Sequence, residues 1–370
     1  MKKNFNRRAF IKGSALAGFA GIAATSTMAG ILTPGLKDEL AAASIGNNAV
    51  KGNIGSAETK LFFNKNGKFK ILQFTDTHYV AGDPRSSRAL ENVKEMLDLE
   101  KPDLVIHTGD VIFGKPAEES LRQILTPISE RKIPFAVALG NHDEEYDKTR
   151  KEVYEIIRTI PHSITATTDG IYGVTNYALT LASPKDDKIS RIFYLLDSNR
   201  GATIEDIPKT YGHIHFDQIA WYREKSRIFT EMNGGVPVPS YAFFHIPLPE
   251  HKEAARDDEN AVLTGTRGEN VGSAKINSGL FVSMKEMKDI QAIFVGHDHN
   301  SDCSVYWNNM FFIYGRFSGC DTVYNDLKPN GARVIELTEG TEGFRSWIRL
   351  KGGEKIQDIQ YPDDFMRKKN

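Results

Sequence analysis

Residues 69–78 read FKILQFTDTH, an apolar run followed at once by Asp76 and His78. Apolar and polar side chains alternate along the first part of this segment, which is typical of a β-strand. The order of strand and helix then repeats, with helices predicted over 87–99 and 120–129 and strands over 103–107 and 134–139. This β-α-β order predicts an α/β fold whose first strands run parallel.

Polar side chains follow four more apolar strands in the same way as they follow the first. These strands lead into Gly109-Asp110, Gly140-Asn-His-Asp143, His245 and Gly296-His-Asp-His299. Because ligand sites in α/β sheets gather at the carboxyl ends of strands, we expect these side chains to converge. Each motif alone is compatible with a turn, since Asn and Asp tolerate turn geometry. All five in one order are difficult to explain by turns.

The residue types in these five motifs indicate metal chemistry. Carboxylate, amide oxygen and imidazole suit hard or borderline divalent ions such as Mn, Fe and Zn, and no thiolate stands among them. A carboxylate shared by two ions about 3.5–4 Å apart would make a two-metal site, which lowers the pKa of a bridging water and clamps phosphate oxygens.

The five motifs resemble those of the calcineurin-like metallophosphoesterase superfamily, and the resemblance covers residues 67–340. His245-Ile-Pro-Leu-Pro-Glu250 and Gly296-His-Asp-His299 resemble the branch related to purple acid phosphatases, which Asp197-Ser-Asn199 fits less firmly. The resemblance implies two mixed β-sheets packed as a sandwich and flanked by helices, a four-layer αββα arrangement.

The resemblance also implies roles for individual residues. The first metal would be held by Asp76, His78 and His299, the second by Asn141, His245 and His297, and Asp110 would bridge both. His142 would act as general acid or stabilise the transition state, with Asp143 orienting it. The purple enzymes place an iron-binding Tyr three residues after the bridging Asp, where this chain has Phe113. We therefore expect neither a tyrosinate band nor an obligate ferric ion.

The expected function is hydrolysis of small phosphate esters by a metal-bridging hydroxide, with phosphomonoesters favoured. A phosphodiesterase, including one for cyclic nucleotides, is the alternative. A non-catalytic exported metal-binding protein is a third possibility, although such a protein would be expected to have lost a ligand.

Five further side chains allow two interpretations each. Arg316 could face the substrate or lie at the surface, and His251 could contact substrate or be a solvated loop residue. His213 and His215 stand beside a predicted helix start, where capping or exposure is expected. His107 is expected to pack in the interior or to support a metal ligand.

The N-terminus differs in character from the rest of the chain. Residues 6–12 read NRRAFIK and match a twin-arginine export signal, and the uncharged stretch 13–36 is weakly hydrophobic and interrupted by Pro34. A signal peptide is favoured over a retained membrane anchor. We therefore expect the twin-arginine machinery to export the protein to the periplasm or beyond.

Composition sets further bounds on the class of protein. Hydrophobic residues are 40%, charged residues 26% and the net charge is −1, which is ordinary for a globular protein and gives no case for nucleic acid binding. The predicted organisation is a signal peptide over 1–43, a linker over 44–66, a metallophosphoesterase domain over 67–350 and a tail over 351–370. Cys303 and Cys320 could form a disulfide or remain buried thiols.

Overall fold

Two β-sheets form the centre of the computed structural model, which describes residues 59–204 and 207–365. The larger sheet has eight strands in the order β1 (Lys60–Phe62), β5 (Tyr177–Ala182), β6 (Ile189–Leu195), β9 (Ser240–Phe243), β11 (Ile290–Val295), β13 (Met310–Tyr314), β12 (Ser304–Trp307) and β10 (Val262–Thr264). The smaller has six, in the order β16 (Lys355–Tyr361), β15 (Phe344–Leu350), β14 (Gly331–Thr338), β2 (Lys68–Phe74), β3 (Leu104–His107) and β4 (Phe135–Val137). A separate hairpin joins β7 (Gly201–Ile204) to β8 (Ile207–Tyr211).

Six α-helices complete the described residues. They are α1 (Ser87–Glu100), α2 (Ala117–Glu130), α3 (Arg150–Thr159), α4 (Phe216–Met232), α5 (Pro249–Ala254) and α6 (Leu280–Met287). Single 3₁₀ turns occupy Pro84–Ser86 and Asp363–Phe365. None of the helices within residues 59–204 and 207–365 has the length and apolar character needed to cross a bilayer.

The alternation of side chains along β2 explains how the layers stack. Ile71 points into a core shared with the larger sheet, where it joins Phe193 and Phe294. Its neighbour Leu72 points the other way and joins a core with Val93 of α1, since successive strand residues face opposite sides. Helices α4 and α6 cover the outer face of the larger sheet. The predicted four-layer sandwich is therefore confirmed.

The strands that carry the polar motifs run parallel to one another within each sheet. In the smaller sheet β2 pairs in parallel with β3, and β3 with β4. In the larger sheet β6, β9 and β11 are parallel. The two sets of carboxyl ends meet across the sandwich, where the Gln73 side chain donates to the Val295 carbonyl at 3.2 Å. This meeting point carries the site.

The predicted boundaries of the folded domain were too narrow. The linker predicted over 44–66 includes β1, which pairs in parallel with β5, and residues 44–58 lie outside the described part. The tail predicted over 351–370 includes β16, whose Tyr361 ring stacks on Phe344 at 4.4 Å. Both strands are held by partners distant in sequence, so local composition does not reveal them. The predicted signal peptide over 1–43 lies outside the described residues.

Candidate metal centre

The backbone at four of the predicted ligands is in the left-handed region. The φ angles of Asp76, His78, Asp110 and His297 are 53°, 44°, 53° and 75°. For residues other than glycine this conformation costs free energy, about 1–3 kcal/mol each, and it persists where the surroundings impose it. The same conformation also occurs elsewhere, for example at Lys101 and Lys132, so it agrees with a site here and the side chains must identify it.

The first cluster combines the loop after β2 with the loop after β11. Asp76, His78 and His299 present ligand atoms that lie within 4.8 Å of one another, and all three side chains are buried. The Nε2 atoms of His78 and His299 are 3.0 Å apart. Asp76 Oδ1 is 3.7 Å from His78 Nε2 and 3.5 Å from His299 Nε2. Three donors directed at one point are what a metal ion requires.

The second cluster combines the loops after β3, β9 and β11. Asp110, His245 and His297 are likewise buried, with ligand atoms within 4.8 Å of one another. Asp110 Oδ2 is 3.0 Å from His245 Nε2 and 3.7 Å from His78 Nε2 of the first cluster. Asp110 therefore stands between the clusters, as the predicted bridging role demands.

Asn141 supplies an independent test of whether this donor set fits a metal. It is only 5% exposed, and its Oδ1 atom accepts no hydrogen bond from the described residues. A buried carbonyl oxygen without a partner is costly. The next residue, His142, donates its backbone N–H to Asp110 Oδ1 at 2.8 Å, which holds this loop against the second cluster. A hard or borderline divalent ion would satisfy the Asn141 oxygen.

Mutual electrostatics hold the two carboxylates ionised. Burial alone would raise the pKa of Asp110, but the charge and hydrogen bond of His245, together with the charges of His78 and His142, outweigh burial and hold that pKa far below its usual range. Burial lowers the pKa of His245, yet the charges of Asp110 and Asp76 raise it overall to about 9. Burial lowers the pKa of His297 to about 3, so this ring is neutral. Metal binding needs ionised carboxylates and neutral imidazoles, and it would release the proton of His245.

Backbone carbonyls fix the orientation of two of the imidazoles. His245 Nδ1 donates to the Thr108 carbonyl at 2.8 Å, and His299 Nδ1 donates to the Tyr324 carbonyl at 2.8 Å. In both rings Nε2 is then the atom left for the metal, because the other nitrogen carries the donated proton.

The predicted role of Asp143 in orienting His142 is wrong. The buried Asp143 carboxylate accepts hydrogen bonds from the backbone N–H groups of Gly140, Val111, Ile112 and Asp110 at 2.8–3.2 Å. It therefore shapes the turn that carries Asp110. The carboxylate that contacts His142 is Glu145, whose Oε2 lies 2.5 Å from Nδ1 of the ring. Glu145 follows His142 by three residues, a spacing that sequence inspection could have used.

Phe113 occupies the place of the purple enzymes' tyrosine. Its ring meets those of His78 and His142 edge-on, with centroids 5.1 and 4.8 Å apart. The position thus packs against a predicted metal ligand without offering a ligand atom.

A cleft of about 720 Å³ opens beside the second cluster. Asn141 and His142 line its floor, and Tyr211 of β8 lies edge-on to His297 with ring centroids 4.3 Å apart. The described residues that line it include the carboxylate of Glu145 and three cationic side chains, Arg200, Lys209 and Lys275. Sequence analysis did not single these cations out, because they come from segments without a recognisable motif.

Three of the five side chains that allow two interpretations are buried, namely Arg316, His251 and His107. Arg316 is buried, and its guanidinium lies 2.5 Å from Asp302. His251 is buried in α5 rather than solvated, and its Nδ1 accepts the Leu248 N–H at 3.1 Å. His107 is buried beside Thr77. The free thiols of Cys303 and Cys320 are both buried.

One interaction near the site was missed entirely. Arg150, the first residue of α3, donates to the Gly140 and Leu139 carbonyls at 2.8 and 3.0 Å. Its guanidinium also pairs with the buried Asp197 at 2.5 Å. Arg150 therefore holds the segment Leu139–Gly140, which follows β4 and directly precedes Asn141.

Comparison with known proteins gives relatives over most of the chain. The sequence profile of the calcineurin-like phosphoesterase family matches residues 69–301. A protein of Arabidopsis thaliana named probable inactive purple acid phosphatase 29 is 32% identical over 328 residues, which cover 79% of this chain and 82% of that protein. Phosphatase DCR2 of Saccharomyces cerevisiae is 30% identical over 332 residues, 80% of this chain, and the match spans 56% of the yeast protein.

A solved structure shares the fold. A dimetal phosphatase from Danio rerio superposes with a TM-score of 0.52 at 12% identity, covering 79% of this chain and 98% of that one. At this identity the likeness shows a shared fold and no more. The profile match is more specific, because it extends over more than half of the chain and includes every predicted ligand-bearing loop. The chain belongs to the calcineurin-like phosphoesterase family.

Proposed function

We propose that the protein is a metal-dependent phosphoric ester hydrolase that uses two divalent ions and favours phosphomonoesters. The observation that supports it most strongly is the completeness of the two clusters. Each of them has three buried donors, and Asn141 adds an amide oxygen that has no partner among the residues that the structure describes. A protein that had given up catalysis would be free to lose one of these donors.

The chain's own side chains have distinct tasks in this reaction. Mn, Fe or Zn ions bound at the two clusters would lower the pKa of a water molecule and neutralise charge on the phosphoryl oxygens. His142 lines the cleft with its Nδ1 held by Glu145, so Nε2 is the nitrogen that can face a bound ester. As water adds to phosphorus and the ester P–O bond breaks, His142 gives a proton to the departing oxygen.

The charge of the cleft supports a monoester rather than a diester. Among the described residues that line the cleft, Arg200, Lys209 and Lys275 outnumber the single acidic group, Glu145. A phosphomonoester carries up to two negative charges near neutral pH and a diester only one, so cationic walls favour the monoester. The diesterase remains the competing outcome of the assay below.

Steady-state hydrolysis tests this proposal. The purified protein loaded with Mn, Fe or Zn is expected to hydrolyse nitrophenyl phosphate faster than bis-nitrophenyl phosphate. Removing a residue that only supports a metal ligand typically lowers activity about 10- to 100-fold. Asp110→Ala and His297→Ala each remove a predicted ligand and should lower activity by more than that. His162→Ala, which alters an exposed histidine, should retain it.

Circular dichroism and metal content must accompany these assays. A folded, metal-loaded protein without turnover on either ester would support the competing hypothesis of a non-catalytic metal-binding protein. The Arabidopsis relative is itself named a probable inactive purple acid phosphatase. Full activity in Asp110→Ala or His297→Ala would refute the site.

We also propose that the protein is exported by the twin-arginine route and acts on small phosphate esters outside the cytoplasm. The support is the segment NRRAFIK at residues 6–12 followed by the uncharged stretch 13–36. Replacing Arg7 and Arg8 by Lys should leave the protein in the cytoplasm. Cell fractionation that finds wild-type mature protein in the cytosol would contradict export.

A further inference from the structure

A second cleft adjoins the one beside the metal clusters. Its volume is about 510 Å³, and residues 200–202 line both cavities. The two clefts therefore share a wall that begins with Arg200. None of the residues of the two metal clusters lines the second cleft.

The second cleft contains a stack of three rings, which we name the ring column. Tyr172 lies parallel to His215 with centroids 3.7 Å apart and an interplanar angle of 8°. His215 in turn lies parallel to His213 at 4.4 Å and 7°. His215 covers one face of the Tyr172 ring, yet Tyr172 remains 52% exposed. The column thus ends in an aromatic face that is open to the cleft.

The ring column is held in place by hydrogen bonds at its backbone. The Tyr172 N–H donates to Asp217 Oδ2 at 2.7 Å, and the His215 N–H donates to Gln218 Oε1 at 2.8 Å. Asp217 and Gln218 belong to the first turn of α4, so the rings are fixed to a helix rather than to a free loop. A surface that is already ordered loses little entropy when a ligand binds to it.

We propose that the ring column is the leaving-group subsite of this enzyme and that it takes the base of a nucleoside 5′-monophosphate. This inference rests on the proposed phosphomonoesterase function and specifies its substrate class. An open aromatic face binds the planar face of a base by stacking, whatever the base. Arg200, whose side chain is 60% exposed, lies on the shared wall between base and phosphate.

The arrangement of the clefts favours a nucleotide over an aryl phosphate. In an aryl phosphate the ring is bonded directly to the ester oxygen, so it would remain in the first cleft with the phosphate. Tyr172 lines only the second cleft. A spacer between phosphate and ring is therefore needed, and the ribose of a nucleotide provides one.

The reaction balances as a simple hydrolysis. Water adds its oxygen to phosphorus, the bond between phosphorus and O5′ breaks, and the nucleoside leaves with a proton on O5′. The products are the nucleoside and inorganic phosphate, and no oxidant, reductant or other co-reactant is needed.

Substrate-resolved kinetics test the subsite. Loss of stacking on an aromatic side chain weakens binding by about 5- to 150-fold. Tyr172→Ala should therefore raise KM for adenosine monophosphate about fivefold or more, with kcat/KM for glycerol 3-phosphate within about twofold of wild type. Tyr172→Phe keeps the ring and should restore the wild-type KM. Phe216→Ala removes an exposed aromatic that lines neither cleft and should change nothing.

Each contrary outcome has a distinct meaning. Equal losses for both substrates, or none for the nucleotide, would overturn the subsite while leaving the phosphomonoesterase intact. A larger effect on phosphotyrosine than on the nucleotide would overturn the nucleotide assignment. If no ester is hydrolysed, the proposed function fails, and calorimetric binding of adenosine monophosphate to wild type and Tyr172→Ala still decides whether the ring column binds a base.

Discussion

Replacing Arg150 by Ala should destabilise the protein by about 3–5 kcal/mol, the cost of breaking a buried ion pair by removing one partner. Its partner Asp197 is fully buried, and Arg150 itself is only 7% exposed. The guanidinium contributes two contacts to Asp197, at 2.5 and 2.8 Å, besides those to the carbonyls that precede Asn141. In the variant, the Asp197 charge would remain in the interior without its countercharge.

Two backbone hydrogen bonds limit this cost. Asp197 Oδ2 accepts backbone N–H bonds from Val174 and Thr175 at 2.7 and 3.3 Å, and these contacts remain. Arg150 holds the pKa of Asp197 below its usual range against the effect of burial. The pair therefore stabilises the fold above the unfolded-state pKa of Asp, and its contribution is lost as pH falls through the lower folded-state pKa.

Urea unfolding at pH 7, followed by circular dichroism, measures the loss. Arg158→Ala is the matched control, because Arg158 lies on the same helix and pairs with Glu155 at the surface; it should change the free energy of unfolding by less than about 1 kcal/mol. The double variant Arg150→Met with Asp197→Asn should be more stable than Arg150→Ala, since no charge is left buried. A loss for Arg150→Ala as small as the control's would refute this reasoning.

Three further predictions follow from other parts of the fold. Gly296→Ala should abolish metal binding, because a Cβ there would lie 1.9 Å from Thr75 Oγ1; unchanged metal content by mass spectrometry would contradict it. Burial lowers the pKa of His251 to about 3, whereas the value in the unfolded chain is 6.5. As pH falls below 6.5 only the unfolded state takes up the proton, so the free energy of unfolding decreases, by about 2 kcal/mol at pH 5. His251→Asn, which retains an acceptor for the Leu248 N–H, should flatten that pH dependence in urea titrations, and an unaltered slope would count against it. The iron-loaded protein should show no tyrosinate absorption band, since Phe113 offers no phenolate; a visible band would contradict this by showing that a tyrosine elsewhere binds the iron.

The metal centre could be foreseen because its signals are local. Each ligand stands directly after an apolar strand, so a strand prediction and a short motif together place it at the correct edge of a sheet. Parallel pairing of β2 with β3, which the β-α-β order already indicates, brings Asp76 and Asp110 to the same edge of the smaller sheet. His299 follows β11 of the other sheet, so its approach to Asp76 depends on how the two sheets pack.

Long-range pairing explains what could not be foreseen. Asp197 meets Arg150 across 47 residues of sequence, and nothing near either residue identifies the other. His251 resembles a solvated loop residue by composition, but α5 turns it against Phe312 with ring centroids 4.9 Å apart. In such cases the tertiary environment, rather than the local sequence, decides burial.

Some elements were missed although the sequence carries a signal for them. Helix α3 begins with a capping box in which the Thr149 side chain and Glu152 satisfy each other's backbone N–H groups. This pattern is recognisable in sequence as Thr-x-x-Glu. Strand β5 begins only at Tyr177, which leaves Tyr172 in the preceding loop, where it forms part of the ring column.

Anomalous diffraction from crystals of the Mn-loaded protein tests the two-ion centre most directly. We expect two peaks about 3.5–4 Å apart, one among Asp76, His78 and His299 and the other among Asp110, His245 and His297, with Asp110 in contact with both. A single peak, or two peaks that do not share Asp110, would contradict the two-ion centre on which the proposed function depends.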